Sequence, residues 1–168
     1  MLHEIDILEA SPSQVDEVLS LWLEAAHWML DNGIDQWRPE YFNRETVLAY
    51  FQNRQIFLVK INDEIVGSFA LQWSDPSVWG ELHNEDSGYL HRFVVRRTQA
   101  GRSIGPYMLK WIEEYVKAHN KRYVRLDCMA SNEALNGYYR KQNFTYRGTF
   151  QLQSGEHSWR GSLYEKEV

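Results

Sequence analysis

The chain has 168 residues, of which 43% are hydrophobic, 24% charged and 14% aromatic, a profile that excludes a disordered, collagen-like or low-complexity polypeptide. A formal net charge of −5 excludes the broad basic surface with which proteins neutralise phosphates, so no nucleic-acid partner is expected. The most apolar stretch, Leu21 to Leu30, is broken by Glu24 and His27 and falls short of the roughly 18 apolar residues of a membrane span, so no membrane partner is expected either.

Ile5 to Leu8 alternates with acids and reads as a short edge strand, followed by Ser11-Pro12, an N-cap and a first-turn proline. From there Val15, Val18, Leu19, Trp22, Ala26 and Met29 recur at three- and four-residue steps until Asn32-Gly33, which predicts one long amphipathic helix with a glycine stop. Ile34 to Phe42 holds a proline and reads as a loop, leading into a short helix over Glu45 to Gln52. Gln55 to Ile61 and Glu64 to Trp73 are β-rich runs around Asn62-Asp63, the signature of an antiparallel hairpin. Ser74 to Asp86 is polar and expected to be loop, and Gly88 to Val95, apolar on both faces, reads as a central strand.

Ile104, Tyr107, Met108, Trp111, Ile112, Tyr115 and Val116 form a helical stripe that ends near His119-Asn120, so this helix is expected to pack on the sheet along its whole length. A strand over Arg122 to Cys128, a helix over Asn132 to Lys141, and strands over Phe144 to Gln153 and Ser158 to Glu165, turning at Ser154-Gly155, complete the chain. The order is β-α-α-β-β-β-α-β-α-β-β, without repeat or linker, and it predicts a single α/β domain over residues 1–168. A domain of this size buries about 70% of the surface its unfolded chain exposes. The lone Cys128 cannot form an internal disulfide and is expected to be buried rather than nucleophilic. With an N-terminal stretch that lacks a basic, apolar leader, the cytoplasm is the expected compartment.

The chemistry concentrates between Phe93 and Gly105, where a central strand runs into a long helix through a loop with small residues at Gly101, Ser103 and Gly105. At a helix start the N–H groups lack internal partners and the macrodipole is positive, so a phosphate or pyrophosphate fits there. Pro106 in the first helical turn costs no internal bond. Arg96, Arg97 and Arg102 add charge suited to phosphate oxygens. The same small residues also serve plain helix entry and close packing. The loop has no GxxxxGK[ST], and no GxGxxG stands near the N-terminus, so P-loop and dinucleotide folds are unsupported.

Ala100-Gly-Arg-Ser-Ile-Gly105 resembles the pyrophosphate loop of the GNAT superfamily of N-acetyltransferases, written Q/R-x-x-G-x-G/A after a central strand. Ala100 stands where Gln or Arg is usual, with Gln99 next to it, and Ser103 replaces a frequent glycine; the first change touches a side-chain contact and not the backbone cradle. A second segment, Asn132 to Phe144, is similar to the family's N-x-x-A-x-x-L-Y-x-K-x-G-F signature. Asn132, Tyr139, Lys141 and Phe144 match, while Leu135, Tyr138 and Asn143 replace Ala, Leu and Gly. Asn tolerates the left-handed backbone that a helix stop requires.

The resemblance implies a GNAT-like mixed, mostly antiparallel central sheet flanked by helices, and acetyl-CoA as cosubstrate. It implies that the backbone of Phe93, Val94 and Val95 pairs with the pantetheine arm like an added strand. Gln99, Ala100, Gly101, Arg102, Ser103, Ile104 and Gly105 would cradle the pyrophosphate, with Asn132 and Tyr139 contributing to the same CoA site. A neutral amine would attack the thioester in a ternary complex, a backbone N–H near Val94 steadying the oxyanion and Tyr139 donating a proton to the departing thiolate.

The base that strips the ammonium is open among Glu81, His83, Glu85, Asp86 and His91. Glu85 leads for its place just before the central strand; His91 follows, although its alternation with Tyr89, Phe93 and Val95 also fits a buried, hydrogen-bonded histidine. Trp37, Trp73 and Trp79 are candidates for an aromatic box around the acceptor amine, whereas Trp22 and Trp111 fall on core stripes. The six scattered histidines show no ligand spacing, so no metal is expected. The expected activity is acetylation of a primary amine, foremost on a small molecule. A protein N-terminus or lysine, or a non-catalytic CoA-sensing domain, is the alternative, and the oligomeric state stays open, a homodimer included.

Overall fold

The structure is a computed structural model and describes residues 4–154 and 156–168, without the side chains of Ser154 and His157. Seven strands, β1 (Ile5–Glu9), β2 (Gln55–Ile61), β3 (Glu64–Gln72), β4 (Ser87–Val95), β5 (Tyr123–Met129), β6 (Thr145–Ser154) and β7 (His157–Glu167), form a mostly antiparallel sheet. Its hydrogen-bonding order is β1-β2-β3-β4-β5-β7-β6. The helices are α1 (Val15–Asp31), α2 (Arg44–Asn53), α3 (Pro76–Trp79), α4 (Ile104–Ala118) and α5 (Glu133–Lys141). The expected element order holds, with one addition: the stretch Ser74 to Asp86, expected as plain loop, contains α3 and a 3-10 turn over Gly80–Leu82. Pro76 at the first helical position, where no N–H is needed, nucleates that turn. Gly155, part of the turn expected at Ser154-Gly155, lies outside the described residues. Among the described residues no helix is long and apolar enough to cross a membrane.

Contacts divide the chain into two compact units, one of Met1–Leu71 with His91–Met108 and one of Gln72–Leu90 with Leu109–Val168. In the first, β1 pairs antiparallel with β2, and β2 with β3. Asn62 and Asp63 join the latter pair with φ of 50° and 65°, the double left-handed geometry that a tight hairpin turn demands and that Asn and Asp tolerate. Ser11 caps the 3-10 turn ahead of α1 through a reciprocal capping box with Gln14. The inward stripe of α1, Val18, Leu21, Trp22, Ala25 and Ala26, is buried in one apolar cluster with Ile56, Leu58 and Ala70 of the strands and Trp37, Phe42 and Val47 from the α2 side. Inside that cluster the indole N–H of Trp22 donates to Ser68 Oγ at 2.9 Å, so the one polar atom of the ring is not left unpaired.

In the second unit, residues Ser87–Leu90 of β4 run parallel to Tyr123–Leu126 of β5, and β7 pairs antiparallel with β5 on one side and β6 on the other. The register of β6 against β7 slips at Gly148, a bulge that bends the strand. Along α4 the buried residues are Ile104, Met108, Leu109, Ile112 and Val116. The expected stripe is therefore shifted: Tyr107 is 41% exposed, and Trp111 is half-buried, stacking on Tyr115 with ring centres 5.0 Å apart. Aromatic side chains with polar tips occupy the flanks of the helix and leave its centre to aliphatic ones.

The polar anchor of this unit is Arg125, 3% exposed, which meets Glu165 at 2.7 Å while Arg147 takes the other carboxylate oxygen at 2.6 Å. Breaking a buried pair leaves an uncompensated charge. Glu165→Ala is therefore expected to lower the unfolding free energy by about 3–5 kcal/mol, measured by urea denaturation.

Candidate functional site

Within the first unit, β4 departs from regular strand geometry at Arg92, whose φ is 52°. A non-glycine residue in the left-handed region is uncommon and stores strain. Four residues later the Arg96 N–H donates to the Val66 carbonyl of β3 at 2.7 Å. The intervening approach is so close that a Cβ on Gly67 would stand 2.7 Å from the Val94 carbonyl oxygen and 3.3 Å from Met108 Sδ. Only glycine fits there. The strand end Phe93–Val95 lines a pocket of about 150 Å³ whose other wall is α1, through Leu21, Ala25, Trp28 and Met29.

The loop that follows has the features of an anion cradle. Gly101 has φ 82° with nothing within 4 Å of where a Cβ would sit, and Ser103 has φ 60°. The N–H of Tyr107 donates to the Ser103 carbonyl at 3.3 Å, so the N–H groups of Ile104 and Gly105 precede the helix's internal ladder. A loop with left-handed residues, unladdered N–H groups and the positive end of a fifteen-residue helix fits a pyrophosphate. The three arginines divide their labour. Arg96 pairs with Glu24 at 3.1 Å and donates to the Ile65 carbonyl at 3.0 Å, which fixes the strand end. Arg97, exposed, lies over the Trp28 ring at 4.1 Å, and Arg102, also exposed, donates to the Gln99 side-chain oxygen at 2.5 Å. Ala100 is exposed beside them.

In the second unit, α5 carries the second motif. The Asn132 side chain accepts the Leu135 N–H at 3.0 Å and is the helix N-cap, so the structure gives it a local folding role. Asn143 at the helix stop has φ 68°, the left-handed geometry expected of it. Tyr139 is 5% exposed, with its ring against Tyr138, Phe144 and Tyr164. Among the described residues its hydroxyl makes no hydrogen bond. Burial pushes its phenol well above the usual tyrosine range, with Cys128, Tyr138 and Asp127 adding to the shift. Cys128, 1% exposed, is pushed up to about 12, burial first and Asp127 second.

Comparison with known proteins decides what these features belong to. Residues 21–144 match the acetyltransferase (GNAT) family. The chain belongs to that family. It is 29% identical over 160 residues to the uncharacterized N-acetyltransferase YesJ of Bacillus subtilis (strain 168), covering 91% of this chain and 84% of that protein. A GNAT acetyltransferase from Listeria monocytogenes 4b F2365 shares the fold with a TM-score of 0.79 at 24% identity, over 99% of this chain and 96% of its own. RimL, a ribosomal L7/L12 alpha-N-protein acetyltransferase crystallised with coenzyme A, superposes with a TM-score of 0.71 at 16% identity, over 98% and 94% of the two chains. As a GNAT member the chain is an acetyl-CoA-dependent acetyltransferase, and the cradle and strand end of the first unit have the donor chemistry that a CoA cosubstrate requires.

The remaining expected site residues lie as follows. Glu85 is exposed in the segment before β4, its backbone carbonyl accepting the Lys121 ammonium at 2.7 Å. Glu81 is exposed, and His83 stacks on Tyr89 with ring centres 5.8 Å apart. Asp86 and His91 are both partly buried. The tryptophans expected to box an amine are taken by internal partners. Trp37 is 7% exposed and faces the Arg92 guanidinium at 5.2 Å; Trp79 is 2% exposed and faces that of Arg125 at 4.2 Å. Trp73 stacks on His119 and Tyr115 at 5.2 and 6.3 Å. Two of these faces already hold the chain's own cations, so neither is open to a substrate amine.

Sequence reasoning missed Arg92 and Gly67. A glycine inside a β-rich run is itself a signal of close backbone approach; the left-handed Arg92 has no such signature.

Cys128 and Tyr139 hold their protons more tightly folded than unfolded, so they contribute stability below the unfolded values, about 8.5 and 10, and lose it as pH rises. The urea midpoint is expected to stay level from pH 7 to 8 and to fall between pH 9 and 11. At pH 8 Cys128 is expected to resist an aromatic disulfide reagent until the protein is unfolded.

Proposed function

We propose that the protein, as one acetyltransferase domain over residues 1–168, moves an acetyl group from acetyl-CoA to a primary amine of a small molecule by direct attack in a ternary complex. The observation that carries this reading is local to the first unit: an open cradle over Gly101–Gly105 directly follows the strand segment Phe93–Val95, which itself lines a pocket with α1. When bound, acetyl-CoA supplies a thioester activated toward amines. The residues of the chain do the rest. Phe93, Val94 and Val95 offer backbone groups to the amide-bearing arm, as an added strand would. Gln99, Ala100, Gly101, Arg102, Ser103, Ile104 and Gly105 receive the pyrophosphate, and Asn132 and Tyr139 of the second motif are assigned to the same cosubstrate.

A backbone N–H at Val94 takes the negative charge that builds on the carbonyl oxygen. The new C–N bond forms as the C–S bond breaks, the amine giving up its proton through Glu85 and water. Tyr139, whose phenol is raised, keeps its proton and offers a hydrogen bond to the departing sulfur; full transfer from so weak an acid to a thiolate is uphill.

Thermal unfolding with and without acetyl-CoA tests the cofactor step, since a ligand at 100 times its Kd adds about 2.7 kcal/mol to native stability. A clear rise in Tm that Arg102→Glu weakens is expected; no rise at millimolar acetyl-CoA would sink the reading. A panel of small amines and short peptides, followed by thiol release, then separates small-molecule from protein acceptors, and binding without turnover on any of them would favour a CoA sensor. Tyr139→Phe is expected to slow kcat about ten- to a hundredfold without abolishing it, and Glu85→Gln to lower kcat as well.

A further inference from the structure

Arg92 is the one left-handed residue of β4, and its side chain is enclosed by four rings. Its guanidinium carbon lies 4.7 Å from the ring centre of Phe42, 5.2 Å from Trp37, 5.4 Å from Tyr50 and 5.9 Å from Trp22. Its Nε donates to the Tyr50 hydroxyl at 3.2 Å. Among the described residues it has no carboxylate partner, and both terminal nitrogens keep their donors unspent. A second arginine buried against aromatic rings is a control for what such a group has: Arg125, over Trp79 at 4.2 Å, also carries Glu165 and the Leu82 carbonyl, the latter at 2.7 Å. Rings cover the faces of a guanidinium and strip its water, but they leave the planar fork that matches a carboxylate or phosphate. A partly buried cation whose fork is empty, held in place by a strained backbone, is built to receive an anion.

We propose that Arg92 selects the acceptor: the amine substrate also carries an oxyanion, carboxylate or phosphate, which the fork of Arg92 binds. This rests on the acetyltransferase reading above. Val94, which that reading places at the reacting carbonyl, is two residues along the same strand, about 7 Å away. One small molecule can therefore meet both. Tyr50, bonded to Nε, and the four rings position the fork.

The test follows thiol release from acetyl-CoA with matched acceptors, β-alanine against β-alaninamide for the carboxylate and O-phosphoethanolamine against ethanolamine for the phosphate. The charged member of at least one pair is expected to have a kcat/KM about 10- to 100-fold above its neutral partner, the range of a hydrogen bond to a charged group; which pair responds distinguishes carboxylate from phosphate. R92Q is expected to erase the preference by raising KM for the charged acceptor far more than for its neutral partner, and R92K, a point charge without the fork, to keep part of it.

Equal use of both members by the wild type, or an equal loss on both in R92Q, would overturn the proposal and leave Arg92 a packing residue. A parallel arm reads Tm in malonate or inorganic phosphate against chloride at constant ionic strength, where the wild type is expected to gain more than R92Q. If no charged acceptor is used and the two proteins respond alike, the proposal fails even where acetyl-CoA raises Tm. An anion effect lost in R92Q without any acetyl-CoA effect would instead retain the anion site and refute the acetyltransferase reading.

Discussion

The absence of a side chain at Gly67 is the constraint on which the working end of β4 depends. With the Val94 carbonyl 2.7 Å from where a Cβ would stand, any larger residue would have to drive two backbones apart, because that nearest atom is backbone and not the flexible tip of a side chain. The close fit anchors β4 just where it stops being a regular strand. Arg92 turns left-handed before it, and the Arg96 amide rejoins β3 after it. Strain at one residue is then held by packing and hydrogen bonding on both sides, the condition under which an unfavourable backbone persists. The pocket against α1 and the loop at Gly101 inherit their positions from this segment.

Arginines in aromatic surroundings recur in this chain, and their edges differ more than their faces. Arg125 ends on a carboxylate and ties structure together. Arg97 lies on Trp28 at the surface, where solvent supplies what the ring does not. Arg92 has ring faces but, among the described residues, no carboxylate. Rings that a sequence presents as a binding box are thus filled from inside, and the recognition chemistry passes from the aromatic face to the guanidinium edge.

Much of this architecture was legible in the residue order. Asn62-Asp63 announces the hairpin because few other pairs accept two left-handed conformations in succession, and Asn143 ends its helix for the same reason. The loop over Gly101–Gly105 is legible because small residues between a strand and a helix permit the left-handed backbone found at Gly101 and Ser103. What stayed hidden depends on neighbours distant in sequence. Asn132 looks like a ligand contact by motif, yet its side chain is committed to the first turn of its own helix. The tryptophans read as exposed because their loops are polar, while tertiary packing buries Trp37 and Trp79. Arg92 sits in a run, GYLHRFVV, that alternates well enough to pass for plain strand, and only the fold turns its backbone.

The burial of Cys128 has a bearing on the protein's relation to its own product. RimL, of the same fold, is known with coenzyme A joined to one of its cysteines by a disulfide. Here the single thiol is 1% exposed and pushed up to about 12, so hardly any thiolate exists to attack the disulfide of an oxidised CoA. An enzyme that liberates a free thiol at every turnover is thereby protected from mixed-disulfide capture by that thiol, even as the surrounding CoA pool becomes oxidised.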